Sequence, residues 1–380
     1  MSNVFNLVSE ETYIEQTDKL AVYLAAIAAK GDGTLRPTSW SDVQSIVRNG
    51  LASKVFAIGD QLTCQRDGVN LVWDVIGIDH DTPADPQFTH SLTLQLHDCL
   101  PTAMQFDAPE ALYYAENGLS AGTYYFTVDS SDYQFTLANA VPTGGQLILN
   151  WTGTAPTGVS VSPTRGGAIE GEAVSVTQGS GGTSLGTLTS AGDFAHHLNS
   201  LYRITNGSSN YKESAIRQWL NSSAAAGSVW TAQTQFDRPP LSATNTAGFM
   251  NGMDADFLAV IGKTHLVVAR NTVCDGGGYD EMDDYFFLPS RSEIYGGVEV
   301  SGVDEGTAYP YYADYSDLSA AGTGTDSNRI KYINNTAQYW WMRTPHSGYV
   351  HYVRGIGLAG TVTDFRANNS YGVAPACNII

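Results

Sequence analysis

Charged side chains are scarce in this chain. They make up 15% of its 380 residues, and 19 Lys and Arg face 38 Asp and Glu, for a formal charge of −19. No basic patch exists to neutralise phosphates, which excludes nucleic acid as a partner and disfavours an anionic membrane surface. Cysteine is sparser still. Cys64, Cys99, Cys274 and Cys377 show no CxxC and no zinc-like spacing, so they read as buried free thiols, with a bridge as the alternative. Long apolar runs are missing too: "LAVYLAAIAAK" (20–30) is too short to span a bilayer and reads as a buried helix. The opening residues lack a basic segment followed by an apolar one, so synthesis in a cytoplasm without a signal peptide is expected. No HExxH or P-loop occurs, and no repeat of fixed period.

What is abundant is Gly, Ser, Thr, Asn and aromatic residues, with 42% hydrophobic composition, enough for several packed units. Residues 1–50 read as an N-terminal helical segment for attachment or oligomerisation. "SEETYIEQTDKLAVYLAAIAAKG" runs from a Ser9 cap to Gly31, and "TSWSDVQSIVRNG" from Ser39 or Ser41 to Gly50, with Val43, Ile46 and Val47 at helical spacing. From Val55 the period becomes two. Residues 51–105 are expected to form a meander of antiparallel strands, and 106–189 a β-rich, sandwich- or barrel-like insertion ending in a Gly/Ser/Thr-rich arm. The remainder, 190–380, mixes strands and long loops with two short helices. "SNYKESAIRQWLNSS" is capped by Ser209 or Asn210, and "LPSRSEIYGG" starts at Pro289 and Ser290 and stops at Gly296. The pattern predicts an α+β fold.

Candidate chemistry is thin. His196 and His197 read as a structural or exposed pair, and His346 and His351 as contact residues without a nearby carboxylate or Cys to complete a metal site. "CDGGGYDEMDDYFF" gathers Asp275, Asp280, Glu281, Asp283 and Asp284. Its spacing does not match an EF-hand, so a solvated acidic loop is the default and a structural calcium the alternative; no other cofactor is expected. The segment 339–380 is different. It crowds Tyr, His, Asn, Ser and Arg as binding loops do, where Tyr gives large contact area at little entropic cost. Val350, Val353, Ile356, Leu358 and Val362 are expected to face inward as supports.

"SAIRQWLNS", "DYFFLPSRSEI", "YWWMRTP" and "NNSYGVAPACN" resemble a family of C-type-lectin-like domains of gut phages and prophages, and "NLVWDVIGIDHD" resembles its opening strand unit. The resemblance covers roughly 55–100 and 198–380 and includes the variable proteins of diversity-generating retroelements, whose surface codons are rewritten at adenines. It implies a lectin-like fold with a β-rich insertion, on a phage tail-fibre tip that binds a host-surface protein or glycan. It also implies contact with other tail proteins, homo-oligomers (a trimer favoured) and no catalysis. Carried over, the scaffold is Trp340, Trp341, Arg343, Pro345, Gly372, Val373, Pro375, Ala376 and Cys377. The contact positions are His346, Ser347, Tyr349, His351, Tyr352, Arg354, Thr361, Thr363, Asp364, Phe365, Asn368, Asn369 and Tyr371. Met342 and Thr344 depart from the family's usual "WLRSP". A virion structural or decoration protein is the alternative. A formylglycine-generating-type enzyme, which shares the implied fold, would require reactive thiols of lowered pKa.

Overall fold

A computed structural model describes residues 37–110, 113–115, 118–128, 130–142, 145–152, 172–187, 203, 206–234, 237–312 and 327–380. The expected helix over 9–31 and the pair His196–His197 lie outside them.

The C-terminal strand Ala376–Ile379 organises the body. It pairs antiparallel with Leu92–Leu96 on one side and with Ile261–Gly262 and Phe286–Phe287 on the other. Leu92–Leu96 continues to Val69–Ile78 and then to Gln61–Arg66, so stretches distant in sequence share one six-stranded sheet. Strands at the middle of a sheet are covered on both faces, and both Leu92–Leu96 and Ala376–Ile379 are buried at every position, with the polar Thr93, Gln95 and Asn378 side chains hydrogen-bonded inside. Trp73, Phe257 and Phe286 meet beneath this sheet with ring centroids 5.4 to 6.4 Å apart.

The strands between 113 and 187 form a separate, mixed six-stranded sheet. Gly145–Trp151 runs parallel to Glu172–Gln178, and Thr183–Thr187 parallel to Gly122–Val128.

The expected α+β, lectin-like architecture with an N-terminal helical segment is overturned. Strand accounts for 35% and helix for 13%, around a curled antiparallel sheet. Among the described residues the α-helices are short, the longest having nine residues. Each is stopped early. Trp40–Arg48 begins with a capping box between Ser39 and Asp42 and ends at Asn49, and Arg291–Tyr295 is capped by Ser290 and Glu293 and broken by Gly296 at φ 68°. Ala215–Leu220 starts at Ser214, not at Ser209 or Asn210. Ser209 is engaged elsewhere, and the Asn210 side chain accepts from the Lys212 amide in a local turn. Helix Trp40–Arg48 does not stand apart as an attachment element. It lays Val43, Ile46 and Val47 on the body, Trp40 meets Phe257 at 4.6 Å, and Gln44 and Arg48 donate to the Ile380 carbonyl.

Candidate functional site

The segment singled out from the sequence folds as a three-stranded antiparallel sheet, Trp340–Pro345, Tyr352–Ile356 and Val362–Arg366. The first strand is its base. Trp340 and Trp341 are fully buried and donate their indole N–H groups to Arg329 O and Met104 O, both at 2.9 Å. Arg343 is also buried. It makes a two-pronged pair with Glu293 at 2.7 and 2.6 Å and donates to Leu288 O and Glu305 O. Burial raises the Glu293 carboxyl above its ordinary range, and the Arg343 charge and hydrogen bonds offset part of that cost. Thr344 bonds Glu305 at 2.6 Å and receives the Arg291 amide at 2.8 Å. Gly372 is a required glycine: a Cβ there would lie 2.5 Å from Cys99 Sγ and 2.9 Å from Tyr339 O.

The turn from His346 to His351 rises from this base, and its backbone is held from below. Asn271, itself fully buried, donates to His346 O at 2.7 Å and to Ser347 O at 3.1 Å. The Thr272 amide and hydroxyl also reach Ser347 O, at 3.1 and 2.7 Å. Val350 O accepts from Arg203 Nε at 3.0 Å and from the Ser209 amide and hydroxyl at 3.2 and 3.0 Å. Every one of these bonds ends on a main-chain carbonyl, so none of them depends on which side chain the turn residue carries. Glu299 adds a further anchor from a side chain only 6% exposed. It takes Arg354 Nε at 2.9 Å and Nη2 at 2.8 Å and accepts from the Ser347 amide at 3.1 Å. Burial would raise this carboxyl, but the Arg354 hydrogen bonds and charge outweigh burial and hold it below the ordinary range.

Above this frame lies an aromatic cluster. Tyr349 is 54% exposed, its ring 4.7 Å from His346 and 5.5 Å from Tyr352. Burial, then the Arg354 charge, lowers the His346 pKa, and its Nδ1 accepts from the Gly348 amide at 3.1 Å. Both effects disfavour the charged form of His346.

The structure divides the thirteen expected contact positions. His346, Ser347, Tyr349 and Tyr352 are brought together on the turn, exposed or half-buried. Thr361, Thr363, Asp364, Asn368, Asn369 and Tyr371 are half-buried along the neighbouring strand and its flanks. Two were expected to face outward and do not. Phe365 is 8% exposed, because it pairs with Val353 in the register and both side chains turn to the core. It packs on Tyr371 at 4.1 Å and on Trp341 at 5.6 Å. His351 is 4% exposed; burial, then the Arg366 and Arg203 charges, lowers its pKa to about 4. Arg354 faces outward but is committed to Glu299 and, at 3.4 Å, to Asp364. Among the expected supports, Val350, Val353 and Ile356 are buried and Val362 is half-buried, whereas Leu358 is 45% exposed.

Sequence reading missed the groups that hold the site: Arg203, Ser209, Asn271, Thr272 and Glu299, and also Arg366, whose backbone pairs with Tyr352. The holding groups lie 48 to 147 residues from the atoms they touch, and no local pattern marks them. The nearest thing to a signal is Glu299 between Val298 and Val300, a lone acid in an apolar alternation.

The acidic run is not a calcium loop. Tyr279–Asp284 is a strand paired with Thr264–Ala269, so its acids alternate between two faces instead of converging. Asp275 pairs with Arg203, Asp280 with Lys212 at 3.1 Å and Asp284 with Arg217 at 2.7 Å, while Asp283 and Glu281 both face His265, at 3.0 and 3.9 Å. Among the described residues no group of three or more His, Cys, Asp or Glu side chains could hold a metal ion. All four cysteines are free, and burial pushes the Cys64 and Cys99 thiols up to about 12 and the Cys377 thiol well above its ordinary value.

No helix among the described residues is long and apolar enough to cross a membrane. No curated protein matches the chain, and no solved structure does. Residues 193–380, which contain the site sheet, its anchors and the central C-terminal strand, are similar to a family described as a domain of unknown function, DUF6273.

Proposed function

We propose that this chain is a receptor-binding protein of a phage or prophage, and that the face around His346, Tyr349 and Tyr352 is its contact surface for a host-surface protein or glycan. One observation carries the reading: the turn that displays these side chains is fixed through its own carbonyl oxygens by Asn271, Thr272, Arg203 and Ser209. A surface built in this way can change its side chains without losing its shape. That is what the resemblance of "YWWMRTP" and "GVAPACN" to retroelement-diversified proteins requires. The exposed Tyr349, with Tyr352 against it, supplies the aromatic anchor that binding surfaces concentrate, and half-buried Thr361, Thr363, Asp364, Asn368 and Asn369 supply a polar rim. Display as a homo-oligomer, a trimer by preference, at a tail-fibre tip would multiply a weak single-site affinity. The raised thiols of Cys64, Cys99 and Cys377 speak against the formylglycine-generating alternative, which needs thiolates.

The test is retention of labelled protein on cells of the bacterium that carries the locus or is infected by its phage. Tyr349→Ala with Tyr352→Ala is expected to lower retention by at least about tenfold, the equivalent of ~1.4 kcal/mol, with the fold intact. Unchanged retention contradicts the assignment. At the nucleotide level, the account expects a near-copy of the final coding segment that differs mostly at adenines and adjoins a reverse transcriptase gene.

A further inference from the structure

Away from the contact face, the loop after Glu305 meets the turn after Val69–Ile78. Thr307, which is exposed, lies with Oγ1 3.1 Å from His80 Nε2, and His80 Nδ1 lies 3.1 Å from Asp81 Oδ1. Asp81 is locked in turn. The Tyr309 hydroxyl reaches both of its oxygens at 3.0 Å, the Thr93 hydroxyl donates at 2.8 Å and Asn378 Nδ2 at 2.9 Å. Tyr309 also lies against the imidazole at 4.3 Å between ring centroids. A hydroxyl, a base within hydrogen-bond reach of it and a third group orienting the base form the arrangement that activates an oxygen nucleophile.

We propose that Thr307, His80 and Asp81 form a hydrolytic site for carboxylic esters with a small acyl group, separate from the contact surface and independent of its assignment. The small acyl group follows from the nucleophile, since the Cγ2 methyl crowds Thr Oγ1 and disfavours a bulky acyl carbon. In the first half-reaction Thr307 Oγ1 attacks the ester carbonyl carbon and its proton passes to His80 Nε2. The tetrahedral oxyanion then collapses, the C–O bond to the alcohol breaks, and the imidazolium returns the proton to the departing alcohol. In the second half-reaction His80 Nε2 takes a proton from water, the hydroxide attacks the carbonyl carbon of the Thr307 ester, the C–Oγ1 bond breaks to release the acid, and the imidazolium returns its proton to Thr307 Oγ1. Asp81 is the positioning residue. Burial would raise its pKa, but hydrogen bonds from His80, Asn378 and Thr93 hold it below the ordinary range, so it stays ionised opposite Nδ1. Burial works against the charged imidazole, while Asp81 and the Ala308 carbonyl, 3.3 Å from Nε2, favour it; the balance lifts the His80 pKa above 6.5, with Glu293 adding its charge from further off.

The test uses the full chain with a fluorophosphonate probe and with p-nitrophenyl acetate. The expected result is a covalent adduct on the peptide containing Thr307. Acetate hydrolysis is expected to rise with pH through an ionisation lying above the ordinary imidazole value, and Thr307→Ala to lower it by at least about a hundredfold. Thr307→Ser is expected to keep labelling and hydrolysis, which a merely structural role would not predict. Because Thr307 is exposed, both variants are expected to fold, and matched thermal unfolding checks this. The proposal is overturned if neither wild type nor Thr307→Ser is labelled at position 307, or if Thr307→Ala hydrolyses the acetate as fast as wild type. Either outcome leaves the cell-retention result at Tyr349 and Tyr352 untouched, so the two readings fail separately.

Discussion

At the scale of single residues, the contact surface separates groups that display from groups that hold. Asn271 is the clearest of the second kind. Its amide N–H groups fix His346 O and Ser347 O, and its oxygen accepts the Val273 and Cys274 amides at 2.8 and 3.2 Å. Asn271→Ala strands these main-chain groups in a buried place, and an expected loss of about 2–4 kcal/mol should appear in denaturant unfolding. Beneath the same turn lies a more pH-sensitive group. Burial first, opposed by the Arg203 charge, pushes the Glu110 carboxyl up to about 8, and Asp237, Asp275 and Glu213 push the same way. Arg203 approaches it only to 4.0 Å, too far to offset burial. The sign follows from the raised value. The stability this group contributes is fully present below its ordinary pKa near 4.5 and is lost as pH rises through about 8. Glu110→Gln has no proton to lose there, so its unfolding free energy is expected to fall less than that of the wild type between pH 5 and pH 9. The difference is on the order of a few kcal/mol. Parallel pH profiles would contradict the assignment.

At the scale of elements, the site sheet depends on a glycine at its centre. Gly355 pairs with Trp341 on one side and Thr363 on the other. A Cβ there would stand 2.5 Å from Phe365 Cε2 and 2.7 Å from Trp340 O. Gly355→Ala is expected to cost about 1–3 kcal/mol by overpacking, read as a lowered melting temperature, whereas Gly348→Ala, with its nearest contact at 3.9 Å, is expected to be near neutral. This is also the scale at which the sequence was most and least informative. Local signals worked where chemistry is local. Ser39 and Ser290 cap their helices as the spacing predicts, Gly296 ends one, and the apolar Val350, Val353 and Ile356 are buried as expected. They failed where register or distant partners decide. The parity of Phe365 follows from its pairing with Val353, and the burial of His351 from the core behind the turn. The acids from Asp280 to Asp284 read as a loop because Gly276, Gly277 and Gly278 precede them, yet the partner strand Thr264–Ala269 draws them straight.

At the scale of the whole molecule, the sheet centred on Ala376–Ile379 and the site sheet share one core, through Trp340, Trp341 and Phe365 on one side and Trp73 and Phe286 on the other. The short helices decorate this strand-rich body and do not form a layer of their own, which is why composition and caps alone pointed to the wrong fold class. A core this continuous lets the contact turn be treated as a graft on a rigid frame. The most direct measurement of that claim combines His346→Ser, Tyr349→Ser and Tyr352→Ser in one chain and follows its unfolding free energy and its retention on host cells together. The account expects unfolding within about 1 kcal/mol of wild type and retention reduced to background. Loss of the fold, or full retention by the altered face, would contradict it.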